Sequence, residues 1–193
     1  MLVSQAVHAI ELFLDKQIDK SKTEEIYKKI LKEKENVVLI GMPSSGKTTI
    51  GKILAKEMNR ELVDLDCEIE KHIGCTIAEF FKSHSEKDFR NIETQITKEI
   101  SKKNGIIIST GGGCILRDEN VFALRSNGRL YFLNRSLEYL TPTDSRPLAT
   151  KKEAIEKLYK ERYQLYINAS DVEVNGNLTP EAEAELIREE FLK

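Results

Sequence analysis

Residues 41–48 form a glycine-rich motif that constrains the fold more than any other part of the chain. They read Gly-Met-Pro-Ser-Ser-Gly-Lys-Thr and match the Gly-x-x-x-x-Gly-Lys-Thr phosphate-binding pattern. The apolar run 36–40 precedes the motif, and apolar residues at helical spacing follow it from Ile50 to Met58. A strand, a glycine loop and a helix in this order surround a phosphate with backbone N–H groups and a helix N-terminus. The motif therefore predicts a nucleoside triphosphate site in an α/β fold.

Each position in this loop has a predicted task. Lys47 is expected to reach the terminal phosphates, and the Thr48 hydroxyl is expected to ligate Mg²⁺. The other nucleotide-binding residues predicted in the loop are Gly41, Ser44, Ser45, Gly46 and Thr49.

Length and composition limit the class of protein. The 193 residues suffice for one α/β domain and an appendage. Lys and Arg number 30 against 32 Asp and Glu, which argues against a nonspecific nucleic-acid surface. The three cysteines form no C-x-x-C pair, and no apolar run approaches the roughly 20 residues that span a bilayer. We therefore expect a soluble, cytoplasmic protein with reduced thiols, and a monomer.

Residues 1–34 are predicted to be a helical appendage, separate from a domain at 35–193. The first helix has an amphipathic stripe formed by Leu2, Ala6, Ala9, Ile10, Phe13 and Leu14. The pattern Ser21-x-x-Glu24 predicts a capping box that opens a second helix rich in Lys and Glu.

Beyond residue 35, apolar runs alternate with helical stretches. The predicted strands lie near 36–40, 61–64, 105–109, 129–133 and 171–174. Helix stops are predicted at Asn59 and Gly74, and helix starts at Thr76 and Thr179. This alternation predicts a parallel sheet covered by helices on both faces. Residues 141–147 carry two prolines and are predicted to form an exposed loop.

Two carboxylates, Asp64 and Asp66, end the second predicted strand. Ligand sites of α/β sheets lie at this edge, so one could hold hydrated Mg²⁺ and the other could face an acceptor hydroxyl. The alternative is that Asp66 caps a helix beginning at Glu68.

Several other residues are candidates for a second ligand. Arg90 and Glu93 share a strip of one predicted helix, and a guanidinium held by a glutamate could bind a carboxylate. Spacing alone favours the alternative of a solvated ion pair. Three consecutive glycines, 111–113, end the third predicted strand and favour a ligand floor over a simple turn. Arg146 and Arg162 could bind a ligand or be solvated surface charges.

Together these residues resemble the shikimate kinases over residues 36–193. The motifs that carry the resemblance are residues 41–49, Asp64-x-Asp66, Phe81, Glu86-x-x-Phe89-Arg90-x-Ile92-Glu93, residues 111–113, Arg146-Pro147-Leu148 and Arg162-x-x-Leu165-Tyr166. The resemblance implies a nucleoside-monophosphate-kinase-like P-loop fold, a three-layer sandwich with a lid and a five-stranded parallel sheet ordered 2-3-1-4-5. It also implies ATP-dependent phosphorylation of the shikimate 3-hydroxyl.

The resemblance also implies residue roles. Asp64 would hold Mg²⁺ through water beside Thr48, and Arg146 would close with the lid onto the transferring phosphate. Lys47, Asp66 and Arg146 would be the catalytic residues, with Asp66 facing the reacting diol. The implied acceptor site consists of Asp66, Phe81, Phe89, Arg90, Glu93, Gly112, Gly113 and Arg162.

Two positions depart from the family pattern, and one segment resembles another enzyme. Tyr139 stands where the family often has an arginine that packs against adenine, and Ser85 stands where it usually has glycine.

Residues 1–13 resemble the C-terminal helix of shikimate dehydrogenase, which implies a fusion or a dehydrogenase partner.

Two other functions are compatible with a phosphate-binding loop. One is a kinase for another polyhydroxy acid such as gluconate, although Arg90, the three glycines and Arg162 argue against it. The other is a catalytically silent nucleotide-binding module that regulates a dehydrogenase. Such a module has no need of Lys47, Asp66 and Arg146 together.

Overall fold

The fold is known from a computed structural model, which describes residues 2–15, 17, 19–140 and 152–193. The chain divides into two compact units, Met1–Lys34 and Glu35–Lys193. The first unit contains helices α1, Leu2–Leu14, and α2, Lys20–Lys34.

Helix α2 begins one residue before the serine that the sequence suggests as its cap. Asp19 occupies the N-cap position, and its Oδ1 accepts hydrogen bonds from the backbone N–H of Ser21 at 2.9 Å and from the Ser21 hydroxyl at 2.7 Å. The predicted capping box of Ser21 and Glu24 is therefore wrong, because the Ser21 hydroxyl donates to an aspartate that already caps the helix.

The second unit contains a five-stranded parallel sheet in the order β2-β3-β1-β4-β5, which confirms the predicted fold. The strands are β1 Asn36–Ile40, β2 Leu62–Asp64, β3 Ile107–Ser109, β4 Gly128–Asn134 and β5 Val172–Asn175. The helices described in this unit are α3 Lys47–Met58, α4 Leu65–Ile73, α5 Ile77–Phe80, α6 Glu86–Ile100, α7 Asp118–Arg125, α8 Lys152–Ala169 and α9 Pro180–Leu192.

Strand β1 shows why both faces of the sheet are covered. Successive side chains of a strand point to opposite faces. Val38 and Ile40 pack into one apolar cluster with residues of α4, α6, α7 and α8, whereas Val37 and Leu39 pack into a second with residues of α3 and α9. All four side chains are fully buried. The continuous apolar run 36–40 is thus the signature of a central parallel strand between two helical layers.

Four predicted helix boundaries in the second unit are confirmed. Asn59 and Gly74 follow α3 and α4 in the left-handed conformation, with φ of 51° and 74°. The Thr76 hydroxyl accepts the Glu79 N–H in a capping box, and Thr179 caps α9. No helix of the described residues is both long enough and apolar enough to cross a membrane.

Candidate active site

The glycine loop connects β1 to α3 at the carboxyl edge of the sheet. Gly41 has φ of 153°, and a Cβ there would lie 2.8 Å from Oγ of Ser45 and 3.0 Å from the carbonyl oxygen of Leu133. Gly46 caps α3 with φ of 93°. Both positions require glycine, because a side chain would clash at Gly41 and would be strained at Gly46. The loop therefore turns tightly around the N-terminus of α3.

Lys47 lies folded over this loop. Its side chain is buried, and Nζ donates hydrogen bonds of 2.8 Å to the carbonyl oxygens of Gly41 and Met42. These contacts hold the ammonium inside the loop concavity, where nucleotide phosphates are expected. Of the other predicted nucleotide-binding residues, Ser45 is buried in the loop, Ser44 is half-buried with φ of 66°, and Thr49 is exposed on the first turn of α3.

Thr48 and Asp64 meet where α3 begins and β2 ends. The Thr48 hydroxyl donates to Oδ2 of Asp64 at 2.8 Å, and Oγ of Ser109 lies 3.4 Å from the same hydroxyl. Oδ1 of Asp64 accepts the backbone N–H groups of Asp66 and Cys67 at 3.1 and 3.4 Å. Asp64 thus caps α4 with one oxygen and contacts Thr48 with the other.

Helix α4 begins at Leu65, so the alternative that Asp66 caps a helix starting at Glu68 is wrong. The capping group is Asp64, two residues earlier. Asp66 lies in the first turn of α4.

The Thr48 and Asp64 pair fits a hydrated magnesium ion. Among the residues that the structure describes, no cluster of three or more His, Cys, Asp or Glu side chains could hold a metal ion. Mg²⁺ retains several waters and is usually bound through one or two protein oxygens together with substrate phosphates. One hydroxyl and one carboxylate within hydrogen-bond distance are therefore a sufficient protein contribution.

The three glycines after β3 form a surface that side chains of two helices contact closely. A Cβ on Gly111 would lie 2.6 Å from Oδ1 of Asp66, and a Cβ on Gly113 would lie 2.5 Å from Nη1 of Arg90. Neither position has room for a side chain without displacing a polar group. The glycines therefore allow one carboxylate and one guanidinium to approach the same stretch of backbone.

The middle glycine is held by α8. Its carbonyl oxygen, on Gly112, accepts hydrogen bonds from Nη1 of Arg162 at 3.0 Å and from the hydroxyl of Tyr166. Arg162 is buried, and Tyr166 is fully buried with its ring stacked on Phe132. Arg162 is thereby brought to the same glycine segment as Arg90 and Asp66.

Arg90 and Glu93 form a buried ion pair. Their side chains are 10% and 2% exposed, and Nη1 of Arg90 lies 2.7 Å from Oε2 of Glu93. Nη2 of Arg90 lies 3.2 Å from Oε1 of Glu86. Burial raises the pKa of Glu93, and the positive charge of Arg90 opposes this rise. Burial lowers the pKa of Arg90, but its two glutamates outweigh burial, so the net pKa is raised and Arg90 stays charged.

The solvated ion pair that spacing alone favours is wrong, because α6 turns this strip of its surface inward, towards the glycine segment. The Nε atom of Arg90 is buried without a hydrogen-bond partner among the described residues.

Aromatic side chains line up beside this pair. The rings of Phe81 and Phe89 lie 5.0 Å apart between centroids, and Phe89 is buried against Arg90. Ser85 lies between the two phenylalanines in the chain and is the N-cap of α6, where its hydroxyl accepts the Asp88 N–H. Its φ of −80° requires no glycine, so the departure from the family pattern supplies a helix cap.

Three other residues complete the account of the predicted site. Arg146 lies outside the described residues, as does the predicted loop at 141–147. Tyr139 is half exposed in a short 3₁₀ turn after β4. Ser109 was not singled out from the sequence, although it ends β3 as Asp64 ends β2, and that shared position is the signal that could have identified it.

Comparisons with known proteins agree with this geometry. Residues 43–192 match the family described as shikimate kinase. A shikimate kinase of Caldicellulosiruptor bescii is 44% identical over 161 residues, covering 79% of this chain and 93% of that protein. One of Clostridium botulinum is 40% identical over 158 residues, covering 79% and 95%.

Solved structures give the same result. A shikimate kinase from Acinetobacter baumannii in complex with shikimate superposes with a TM-score of 0.80 at 30% identity, covering 85% of this chain and 96% of that one. A shikimate kinase from Aquifex aeolicus superposes with a TM-score of 0.69 at 31% identity, covering 81% and 96%. The fold, the sequence match and the glycine segment lead to one conclusion: the chain belongs to the shikimate kinase family.

Proposed function

We propose that this chain transfers the γ-phosphoryl group of ATP to the 3-hydroxyl of shikimate. The observation that carries the proposal is the glycine segment 111–113, which Asp66, Arg162 and Arg90 approach in turn. Two buried guanidiniums and a carboxylate at one surface suit an acceptor that carries both a carboxylate and hydroxyl groups.

Arg90 and Arg162 would bind the carboxylate of the acceptor. A guanidinium is planar and offers paired N–H donors that match the two carboxylate oxygens. Arg90 is already oriented by Glu93 and Glu86, so little conformational freedom is lost when the acceptor binds. Gly112 and Gly113 would contact the ring hydroxyls, and Phe81 and Phe89 would form the apolar wall.

Asp66 would then hold the acceptor hydroxyl against the phosphoryl group. Lys47 would transfer its hydrogen bonds from the loop carbonyls to the phosphates, and Arg146 would contribute a second cation from the lid. Bound Mg²⁺ would neutralise phosphate charge, held by Thr48 and, through water, by Asp64. Catalysis in this scheme comes from positioning and from fixed charges around the transferring group.

The direct test is an assay of ADP release with shikimate, with gluconate and with no acceptor. We expect release that depends on shikimate, with gluconate close to the background of ATP hydrolysis. Equal rates with both acids would indicate a less selective sugar-acid kinase. Nucleotide binding without release in any arm would indicate a silent nucleotide-binding module.

Replacing either acceptor-site arginine with lysine should weaken shikimate binding. Lysine retains the charge but loses the paired donors, and a hydrogen bond to a charged group contributes about 1.5–3 kcal/mol. We therefore expect the shikimate Kd of Arg90→Lys and of Arg162→Lys to rise by roughly 10- to 100-fold. Calorimetric titration measures this directly.

Arg125→Lys is a matched control, because Arg125, at the end of α7, is partly exposed and pairs with Asp171, away from the glycine segment. Its shikimate Kd should equal that of the parent. If both acceptor-site variants also matched the parent, the carboxylate assignment would be wrong.

We further infer that residues 1–34 are a helical appendage derived from a shikimate dehydrogenase, and that the kinase is cytoplasmic and monomeric. The appendage supplies none of the proposed site residues, all of which lie from Gly41 to Arg162. Ile10, Phe13 and Leu14 are exposed apolar side chains of α1, which favours association.

A chain starting at Glu35 should therefore keep its turnover per folded molecule and should associate less with a dehydrogenase. Activity per molecule with folded content from circular dichroism measures the first expectation, and light scattering measures the second. Loss of most turnover in a folded truncated chain would place the appendage in the active site.

A further inference from the structure

Arg135 lies at the nucleotide end of the sheet, although no motif identifies it. It directly follows β4, which pairs with β1 up to Ile40 and Phe132, so it lies at the same edge as the phosphate-binding loop. Its Nη1 is 3.9 Å from the position that a Cβ on Gly46 would occupy. Gly46 caps α3, whose first N–H groups surround the expected phosphates.

The Nε atom of Arg135 is buried and donates to no acceptor in the part of the chain that the structure describes. A buried donor of a charged group normally has a partner. The buried Nε is itself out of reach of a ligand, so a ligand would bind the Nη groups, of which Nη1 lies beside Gly46. A cation in this state beside a phosphate-binding loop is suited to a phosphate oxygen.

A buried carboxylate interacts electrostatically with Arg135. Glu183 in α9 is 1% exposed, and neither of its oxygens accepts a hydrogen bond of good geometry among the described residues, although the backbone N–H of Leu178 is close enough to lower its pKa. Burial raises the pKa of Glu183 to about 7, and the charge of Arg135 opposes this rise. If neutralising Glu183 were the sole task of Arg135, contact at hydrogen-bond distance would be expected. Instead, the two groups attract each other while atoms of both remain unpaired.

We propose that Arg135 is a further nucleotide-binding residue, whose guanidinium donates hydrogen bonds to the α- and β-phosphates of bound ATP or ADP. Gly46 precedes Lys47, which is directed to the terminal phosphates, so a cation beside Gly46 is placed nearer the inner phosphates. Glu183 holds the guanidinium at this edge by its charge. The inference rests on the proposed function, because it requires a nucleotide in the loop.

The test is calorimetric titration of ADP into Arg135→Gln. Glutamine keeps a polar side chain and removes the charge. We expect the ADP Kd to rise about tenfold, with the shikimate Kd unchanged, since the loss is confined to one charge-assisted hydrogen bond. Arg125→Gln removes a paired arginine elsewhere on the surface, and its ADP Kd should equal that of the parent.

A second variant separates a nucleotide contact from an indirect effect of Glu183. Arg135→Gln leaves the Glu183 charge uncompensated and could disturb the fold, whereas Arg135→Gln combined with Glu183→Gln removes both charges. The double variant should show the same tenfold weakening. Parent-like ADP affinity in the double variant would overturn the proposal, because the single effect would then come from Glu183.

The possible failures are distinguishable. A parent chain that does not bind ADP would contradict the proposed function itself. A parent that binds ADP, beside an Arg135→Gln variant that binds it equally well, would overturn this inference and leave the kinase assignment intact.

Discussion

Replacing Asp66 with asparagine should lower turnover by about 10²- to 10³-fold, the usual cost of losing one preorganised polar group at a reacting centre. Asp66 lies in the first turn of α4, and the backbone of Gly111 passes close to its Oδ1. Asparagine keeps the size of the side chain and one acceptor oxygen but loses the negative charge that would orient the acceptor hydroxyl. ADP binding should persist, because the phosphate-binding loop is unchanged.

The measurements are turnover at saturating shikimate and the Kd for ADP. Asp118→Asn is the matched control, since Asp118 is an exposed aspartate in the first turn of α7 and makes the same favourable interaction with a helix N-terminus. The control should retain parental turnover. Turnover of Asp66→Asn within a few-fold of the parent would remove Asp66 from the reaction.

The sequence was most informative where local chemistry determines structure. Positions 41 and 46 of the phosphate-binding motif have positive φ angles that favour glycine. The glycines in the sequence therefore predict the conformation of the loop. The strands β1, β3 and β4 were recognisable because buried parallel strands are apolar on both faces. The order of the strands came from the family resemblance, since periodicity alone does not specify which strands pair.

The sequence was less informative about burial and long-range partners. Spacing places Arg90 and Glu93 on one strip of α6 but does not say whether that strip faces solvent or the glycine segment. Tyr166 holds the carbonyl of a glycine 54 positions earlier, and no local pattern encodes such a pairing. Arg135 belongs to no motif, and only the packing of β4 beside β1 brings it to the phosphate-binding loop.

Replacing Gly113 with alanine should weaken shikimate binding by roughly 100-fold, since it would remove charge-assisted hydrogen bonds of Arg90, and should leave ADP binding unchanged. The backbone tolerates the change, because Gly113 has φ of −107°, which alanine adopts without strain. The added Cβ would lie 2.5 Å from Nη1 of Arg90, which is shorter than a van der Waals contact and is therefore a clash. Since Nη1 is at the far end of a long side chain, Arg90 should be displaced and the fold should persist.

Displacement has a large effect because Arg90 is oriented by two glutamates. Moving the guanidinium weakens its bonds to Glu93 and Glu86 and removes the paired donors from the acceptor carboxylate. The new methyl group would also occupy the surface where ring hydroxyls are expected. Both losses act on the acceptor and neither acts on the nucleotide, which is why the two affinities should separate.

Gly74→Ala is the control for adding a methyl group to a glycine. Gly74 has φ of 74° and open space around its Cβ position, so alanine there should cost about 1 kcal/mol of folding stability without touching the site. Its shikimate Kd should equal that of the parent despite a lower melting temperature. If Gly113→Ala bound shikimate as tightly as the parent, the acceptor would not be held against Arg90 and the glycine segment, because a methyl group there cannot coexist with the guanidinium in its present position.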